Sequence, residues 1–218
     1  MPESGSATDE WGKPAENEEL WRFSLAFYDA PSVAEALITL QDCHGFDVNL
    51  MLFALWLGIS GRGALGADLL AAAEHATRTI RNEIIDPLRA LRRKLRHHSD
   101  GGVQHLREGV KALELAAEKL AQLRLAGIGA PKNDDTSPPE RTAAAGDNLA
   151  FYLGPTAVTN GPEVRVILEA VDAFAERSAR VDGPYPSRSS AGVSPEGSPQ
   201  RLTTPVSRSN RSRTRPRV

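Results

Sequence analysis

The sequence predicts an all-α protein: a compact helical bundle around a central buried helix at about 47–59, with a helical hairpin at about 65–125 and disordered N- and C-terminal tails. Three observations carry this reading. Residues 48 to 59 are an almost unbroken apolar run. The flanking segments repeat apolar residues at helical spacing. No segment shows the every-second-residue alternation of a half-buried strand.

At about 100° per residue, the side chains of the apolar run point in every direction, the pattern of a helix enclosed by neighbours. Asp47 stands where an N-cap is wanted. Met51, Ala54 and Gly58 share one side, which lets another helix approach closely. Leu52, Phe53 and Trp56 form the bulky side. Fully burying a large side chain contributes about 1.5–3 kcal/mol, so this helix anchors the fold. The run is too short to cross a membrane. Asp47 and Arg62 bracket it, and a span needs about 18 or more apolar positions.

Before the run, Asn17 is a candidate cap for a helix through Tyr28 that carries Leu20, Trp21, Phe23, Leu25 and Phe27. Asp29-Ala30-Pro31 ends it and starts the next helix, proline being accepted in a first turn. Val33, Ala36, Leu37 and Leu40 give that helix one buried face, and Gly45 ends it. After the run, Gly61-Arg62-Gly63 reads as a loop and Leu65 to Ile85 as a helix. Asp86-Pro87 kinks this helix or starts a new one, with Leu88, Leu91 and Leu95 continuing the stripe. Ser99-Asp100-Gly101-Gly102 reads as a turn. Val103, Leu106, Val110, Leu113, Ala117 and Leu120 then alternate spacings of three and four, as in a helix lying along another. Gly109 within it costs about 1 kcal/mol relative to alanine. Asn148 to Leu153 reads as a short helical turn, and Val164, Ile167, Leu168, Val171 and Phe174 as an amphipathic helix from about Glu163 to Arg180.

The expected organisation is therefore a disordered segment 1–16, a helical core domain 17–125, a linker 126–143, a C-terminal helical extension 144–181 and a disordered Arg/Ser/Pro-rich tail 182–218. The net charge of -2 hides an asymmetry. The tail carries seven arginines against Asp182 and Glu196, about +5, leaving the rest near -7. Such a tail cannot repay its ordering entropy. The lone Cys43 rules out an internal disulfide and fits a reducing cytosol. The start Met-Pro-Glu-Ser-Gly-Ser has no signal-peptide character. A cytoplasmic location without a membrane anchor is the expectation.

Two clusters are candidate sites. Gln41, Asp42, His44, Asp47 and Asn49 fall within nine residues at a helix–helix corner. Oxygen and imidazole groups of this kind suit a divalent ion or an acid/base pair, but their spacing matches no metal signature. The preferred reading is a brace: Asp47 caps the central helix, His44 sits at a helix C-terminus, and the inward-facing Asn49 bonds Gln41, Asp42 or the Trp21 indole. Arg89, Arg92, Arg93 and Arg96 form the second cluster, a strip suited to phosphate or an acidic partner. The preferred reading is a solvated face paired with Glu108, Glu114 and Glu118. His97, His98 and His105 flank the Gly-Gly turn and read as a surface cluster. Cys43 reads as a packed small residue. The arginines from Arg208 to Arg217 have no interleaved aromatic residue for base stacking. Gly-rich phosphate loops, a Gly-x-Ser-x-Gly elbow and paired cysteines are all missing.

Several groups occur in an unusual combination: Leu20-Trp21 with Phe23-Ser24-Leu25 and Phe27-Tyr28; Leu40-Gln41-Asp42, then Gly45 with Asp47-Val48-Asn49-Leu50; Pro87-Leu88-Arg89-Ala90-Leu91-Arg92-Arg93; Val110 to Leu115; and Asn148-Leu149 with Tyr152-Leu153. Over about residues 18 to 155 the chain resembles a family of small, uncharacterised proteobacterial proteins, a domain-of-unknown-function family. The resemblance implies a cytosolic helical protein and transfers no catalytic role. Ile80 departs from it, standing where a tryptophan is expected.

The combined expectation is a non-catalytic cytosolic binding or adaptor protein with a protein partner, no catalytic residues, no cofactor and no metal. Two alternatives remain. One is a nucleic-acid-associated regulator using Arg89–Arg96 and the basic tail. The other is a metal- or small-ligand-binding protein using the 41–49 cluster.

Overall fold

A computed structural model describes residues 18–181. The expected Asn17 cap and both expected tails lie outside this range. Among the described residues the chain is helical throughout: α1 (Glu19–Tyr28), α2 (Val33–His44), α3 (Val48–Ile59), α4 (Ala67–Ile80), a π-helical turn (Arg81–Ile85), α5 (Asp86–Leu95), α6 (Gly101–Ile128), α7 (Pro138–Leu153), a 3-10 turn (Ala157–Asn160) and α8 (Pro162–Val181).

The apolar run became the hub. Every residue of α3 from Val48 to Gly58 is buried, with Met51, Ala54, Leu55 and Leu57 fully so. No single face is favoured because neighbours surround the helix. Among the described residues, the most extensive helix–helix contact is that between α3 and α7. Gly58 permits it: a side chain there would collide with the backbone of Ala145 and Ala144. The small side expected at Met51, Ala54 and Gly58 is indeed where a helix comes close.

Asn148 then locks α7 in place. It is almost fully buried, accepts from the Leu65 N–H at 2.7 Å, and donates to the carbonyls of Ala54 at 3.2 Å and Gly63 at 3.0 Å. One amide thus ties α7 to α3 and to the loop at residues 63–65, meeting a loop N–H and a loop carbonyl that no helix serves. At the far end of α3, Arg62 lies 4.5 Å over the Trp56 ring, pairs with Glu19 at 2.8 Å and donates to the Ala130 carbonyl. α8 closes the other side through Phe174, which meets Phe23 and Phe27 of α1 edge-on.

Several boundaries differ from expectation. Pro31 precedes α2 rather than lying in its first turn, because Ser32 takes a left-handed φ of 63° before Val33 begins the helix. A new helix does start at Asp86-Pro87, but it follows α4 through a π-helical turn without a loop. The bonding register slips across Arg81–Ile85, with the Asp86 N–H donating to Arg81, so the N–H that proline lacks falls at the register change. Gly101 and Gly102 are the first residues of α6, not a turn, because Asp100 caps it by accepting from the Val103 N–H at 3.0 Å. The linker expected over 126–143 shrinks at both ends. α6 runs to Ile128, and Ser137 with Glu140 forms a capping box that starts α7 at Pro138, so the short turn expected at 148–153 is the last part of a 16-residue helix.

The heptad reading of α6 holds only in part. Val110 is buried and Ala117 and Leu120 are half-buried, but Leu106 and Leu113 are 58% and 61% exposed. The face that meets α5 is instead marked by Glu114, which is 5% exposed. A small second cluster of Ile80, Ile85 and Ala121 holds the root of this α5–α6 hairpin.

Candidate functional site

Gly45 ends α2 with a left-handed φ of 76°, and its N–H returns to the Gln41 carbonyl. Asp47 follows and is engaged on every side. Its Oδ1 accepts from the Asn49 N–H at 2.8 Å, its own N–H donates to the Tyr152 hydroxyl at 2.8 Å, and its Oδ2 faces Arg81 Nε at 3.3 Å. One residue therefore ties α3, α7 and the α4–α5 rod together. Burial pushes the Tyr152 phenol up to about 12; the Asp47 N–H acts the other way and the Asp47 charge adds to burial. The phenol stays protonated at neutral pH.

Asn49 is buried, as its inward position implied, but its partner differs. Gln122 Nε2 of α6 donates to Asn49 Oδ1 at 3.0 Å. The first turn of α3 points Asn49 across the bundle to α6 rather than back to Gln41, Asp42 or Trp21. Gln122 sits mid-helix in an otherwise ordinary stretch of α6, so no local signal marked it.

The rod α4–α5 crosses in front of this corner and leaves an open recess of about 300 Å³. Gln41, Asp42, Asp47 and Asn49 line one wall; Arg81, Arg89 and Arg93 line the other. The two clusters that looked separate in sequence thus face each other. Arg93 donates to Asp42, which also accepts from Gln41 at 3.2 Å. Desolvation alone would raise the Asp42 carboxyl; the Gln41 and Arg93 hydrogen bonds and the Arg93 and Arg89 charges outweigh it and hold Asp42 below its usual value. Arg81 reaches Asp86 at 3.9 Å besides Asp47.

Arg89 and Arg92 turn toward α6. Arg89 donates to Glu114 at 3.1 Å and to Glu118 at 2.9 Å, and Arg92 donates to Glu114. This is the pairing expected for Glu114 and Glu118. Glu108 does not join it; it pairs with Arg107 and Lys111 of its own helix. Burial opposes ionisation of Glu114, but Arg92 and then Arg89 overcome it and hold its carboxyl low. Glu118 goes the other way: burial raises it, and Arg89 offsets this only in part.

The remaining candidates lie elsewhere. His44, in the last turn of α2, and Arg96, at the end of α5, are exposed and line no part of the recess. Cys43 is exposed rather than packed, because it falls in the last turn of α2, past the buried Leu40. Among the described residues, no three His, Cys, Asp or Glu side chains converge as they would to hold a metal ion. No described helix is long and apolar enough to cross a membrane. The arginines from Arg208 to Arg217 lie outside the described residues.

Arg81, Asp86, Gln122 and Tyr152 were not foreseen as members of this site. The chemistry is that of ion pairs closed on themselves: Arg81, Arg89 and Arg93 in the recess each meet a carboxylate.

Residues 19–125 match the model of a family described as protein of unknown function (DUF2390). The match covers the corner, the recess arginines and most of α6; it stops before α7 and is shorter than the span of 18 to 155 suggested by the residue groups. No curated protein and no solved structure is significantly similar to the chain.

Proposed function

We propose, from the premise that the matched family brings no activity with it, that this chain is a non-catalytic cytoplasmic binding protein that docks an amphipathic helix of a protein partner on its α5–α6 hairpin. One observation carries the reading. Ile84 and Leu91 on the rod are each 42% exposed, and Leu106 and Leu113 on α6 are 58% and 61% exposed. Leu106 and Leu113 are seven residues apart within α6, so they share a face of that helix. Leucines repeating at this interval on a helical pair form the receiving side of a helix-in-groove contact. Such a display of large apolar groups on one hairpin marks an interaction surface rather than scattered surface residues. The recess charges, being mutually neutralised, act as the brace that sets the hairpin against the core.

The test compares wild type with Leu106→Glu/Leu113→Glu. Both side chains are mostly solvated, so helix content is expected to be unchanged. Affinity capture from the native cell, followed by reconstitution with the purified partner, is expected to give a complex that the double variant loses by at least 10-fold. A partner bound equally by both proteins, or no reproducible partner at all, contradicts the proposal.

A second reading has its own support. The open recess of about 300 Å³ gathers acidic, amide and guanidinium groups on facing walls, which suits a small zwitterion able to exchange into the Arg93–Asp42 pair. Asp42→Ala together with titration of a free amino acid series tests it; no saturable binding removes it.

A further inference from the structure

Leu115 of α6 stands between two recesses. One, of about 250 Å³, lies against α1 and is walled by Trp21, Leu25 and Tyr28. The other, of about 230 Å³, reaches Ile38 of α2. Tyr28, Val48, Leu115 and Glu118 belong to both, so the two recesses form one groove. Leu25, Leu115 and Ile38 come from three different helices, and they are 48%, 48% and 47% exposed. Three large apolar side chains left half open along one groove are a patch, not scattered surface residues. The guanidinium and carboxylate groups inside it are engaged with one another: Arg89 and Arg92 hold Glu114, and Arg89 holds Glu118. Apolar contact, rather than charge, therefore recognises what covers the middle of the groove.

Residues 1–17 lie outside the described residues, and the place where they join them is one end of this groove. Lys119 Nζ donates to Glu18 at 2.7 Å. Lys119 is one turn of α6 from Leu115, and Trp21, the first residue of the groove wall, follows Glu18 by three positions. α1 and α6 run antiparallel along the groove, because Glu18 meets Lys119 at one end while Tyr28 and Lys111 share a recess at the other. Residues 1–17 hold a single aromatic residue, Trp11, seven positions before Glu18. Seven residues reach up to about 23 Å, whereas Leu25 lies only about 10 Å from Glu18 along α1. So short a tether keeps the indole at a millimolar effective concentration beside the groove, and closing so small a loop costs little entropy. The flanking charges also match. Asp9-Glu10 precede Trp11 and suit the exposed Lys111 at the far end, while Lys13 suits Asp29, an exposed residue of the first recess.

We propose that this groove is the docking site of the chain's own N-terminal segment, with the Trp11 indole seated between Leu25 and Leu115. The segment folds back at Glu18 and follows α6 from Lys119 toward Lys111. Leu106 lies nine residues from Leu115, on the opposite side of α6, so this site is separate from the helix-docking face of Leu106 and Leu113.

Disulfide trapping in the full chain tests this, in a Cys43→Ser background that removes the exposed native thiol. Gly12→Cys, beside Trp11, is combined with Asp29→Cys on the groove wall. With oxidised glutathione present, an intramolecular disulfide is expected to form. Adding Trp11→Ala is expected to slow its formation at least 10-fold while leaving the circular dichroism spectrum unchanged. Leu115→Glu is expected to slow it as much, and Leu113→Glu, on another side of α6, to leave the rate as it was. Both leucines start about half exposed or more, so neither change removes a buried side chain. No disulfide, the same rate with Trp11→Ala, the same rate with Leu115→Glu, or equal slowing by Leu113→Glu overturns the proposal. Unchanged trapping with Trp11→Ala would show that proximity along the chain alone brings the two thiols together.

Discussion

Gly58 and Ala145 meet backbone to backbone: a Cβ on the glycine would lie 2.7 Å from the carbonyl carbon of Ala144 and closer still to the nitrogen of Ala145. Backbone cannot move aside as a flexible side chain can. Gly58→Ala is therefore expected to destabilise the protein by about 3 kcal/mol, the upper end for overpacking, measured by urea unfolding. Gly109 is the contrasting case. It lies inside α6 with open space where a Cβ would be, so Gly109→Ala is expected to stabilise by about 0.5–1 kcal/mol.

Asn148 supplies three hydrogen bonds to backbone groups at 2.7–3.2 Å. Asn148→Leu keeps the bulk and removes them. The expected loss is about 3 kcal/mol, since the Leu65 N–H and the Gly63 carbonyl lose this partner. Unfolding midpoints of the variant and wild type at equal m-value check this.

Tyr152 supplies the acceptor for the Asp47 N–H. Tyr152→Phe leaves the ring, which packs edge-on against Phe46 at 5.8 Å, and deletes only the oxygen. The expected cost is about 1–2 kcal/mol. Hydrogen exchange at the Asp47 amide should accelerate by more than the global loss of stability predicts.

Glu114 is held below its ordinary value of 4.5 by Arg92 and Arg89 against the pull of burial. A carboxylate depressed in the folded state stabilises fully above its unfolded value, and that contribution disappears as pH falls through the folded value. Glu114→Gln is therefore expected to cost about 3 kcal/mol near pH 7, with the gap to wild type closing below 4.5. Glu118 has the opposite sign. Its carboxyl is raised by burial, so its ionised form is a burden at neutral pH that protonation relieves. Glu118→Gln should cost less than Glu114→Gln at pH 7. Equal losses from the two variants would contradict this assignment.

The hub was legible because α3 has no polar side along its length, and its N-cap was legible because Asp47 directly precedes the run. The recess was legible only as two unrelated halves. Nothing local in the sequence says that Asp42 will meet Arg93 across 51 positions, since that depends on how the α4–α5 rod crosses the corner. The α7 helix was signalled by Ser137 and Glu140 at capping-box spacing with Pro138 between them, but the surrounding Pro, Asp and Thr residues made the segment look like a linker. Leu106 and Leu113 were misjudged for a different reason. Periodicity marks a face, and it does not say whether the molecule itself covers that face.

α3 is enclosed only when α7 lies against it, although the family match ends at residue 125, before α7 begins. The most direct measurement is thermal unfolding of the full chain beside a chain ending at residue 130, followed by circular dichroism and by hydrogen exchange at the α3 amides. The shortened chain is expected to lose its cooperative transition, with the amides of Met51 to Leu57 exchanging freely. A shortened chain that unfolds in one sharp transition near the wild-type temperature, with α3 still protected, would contradict it.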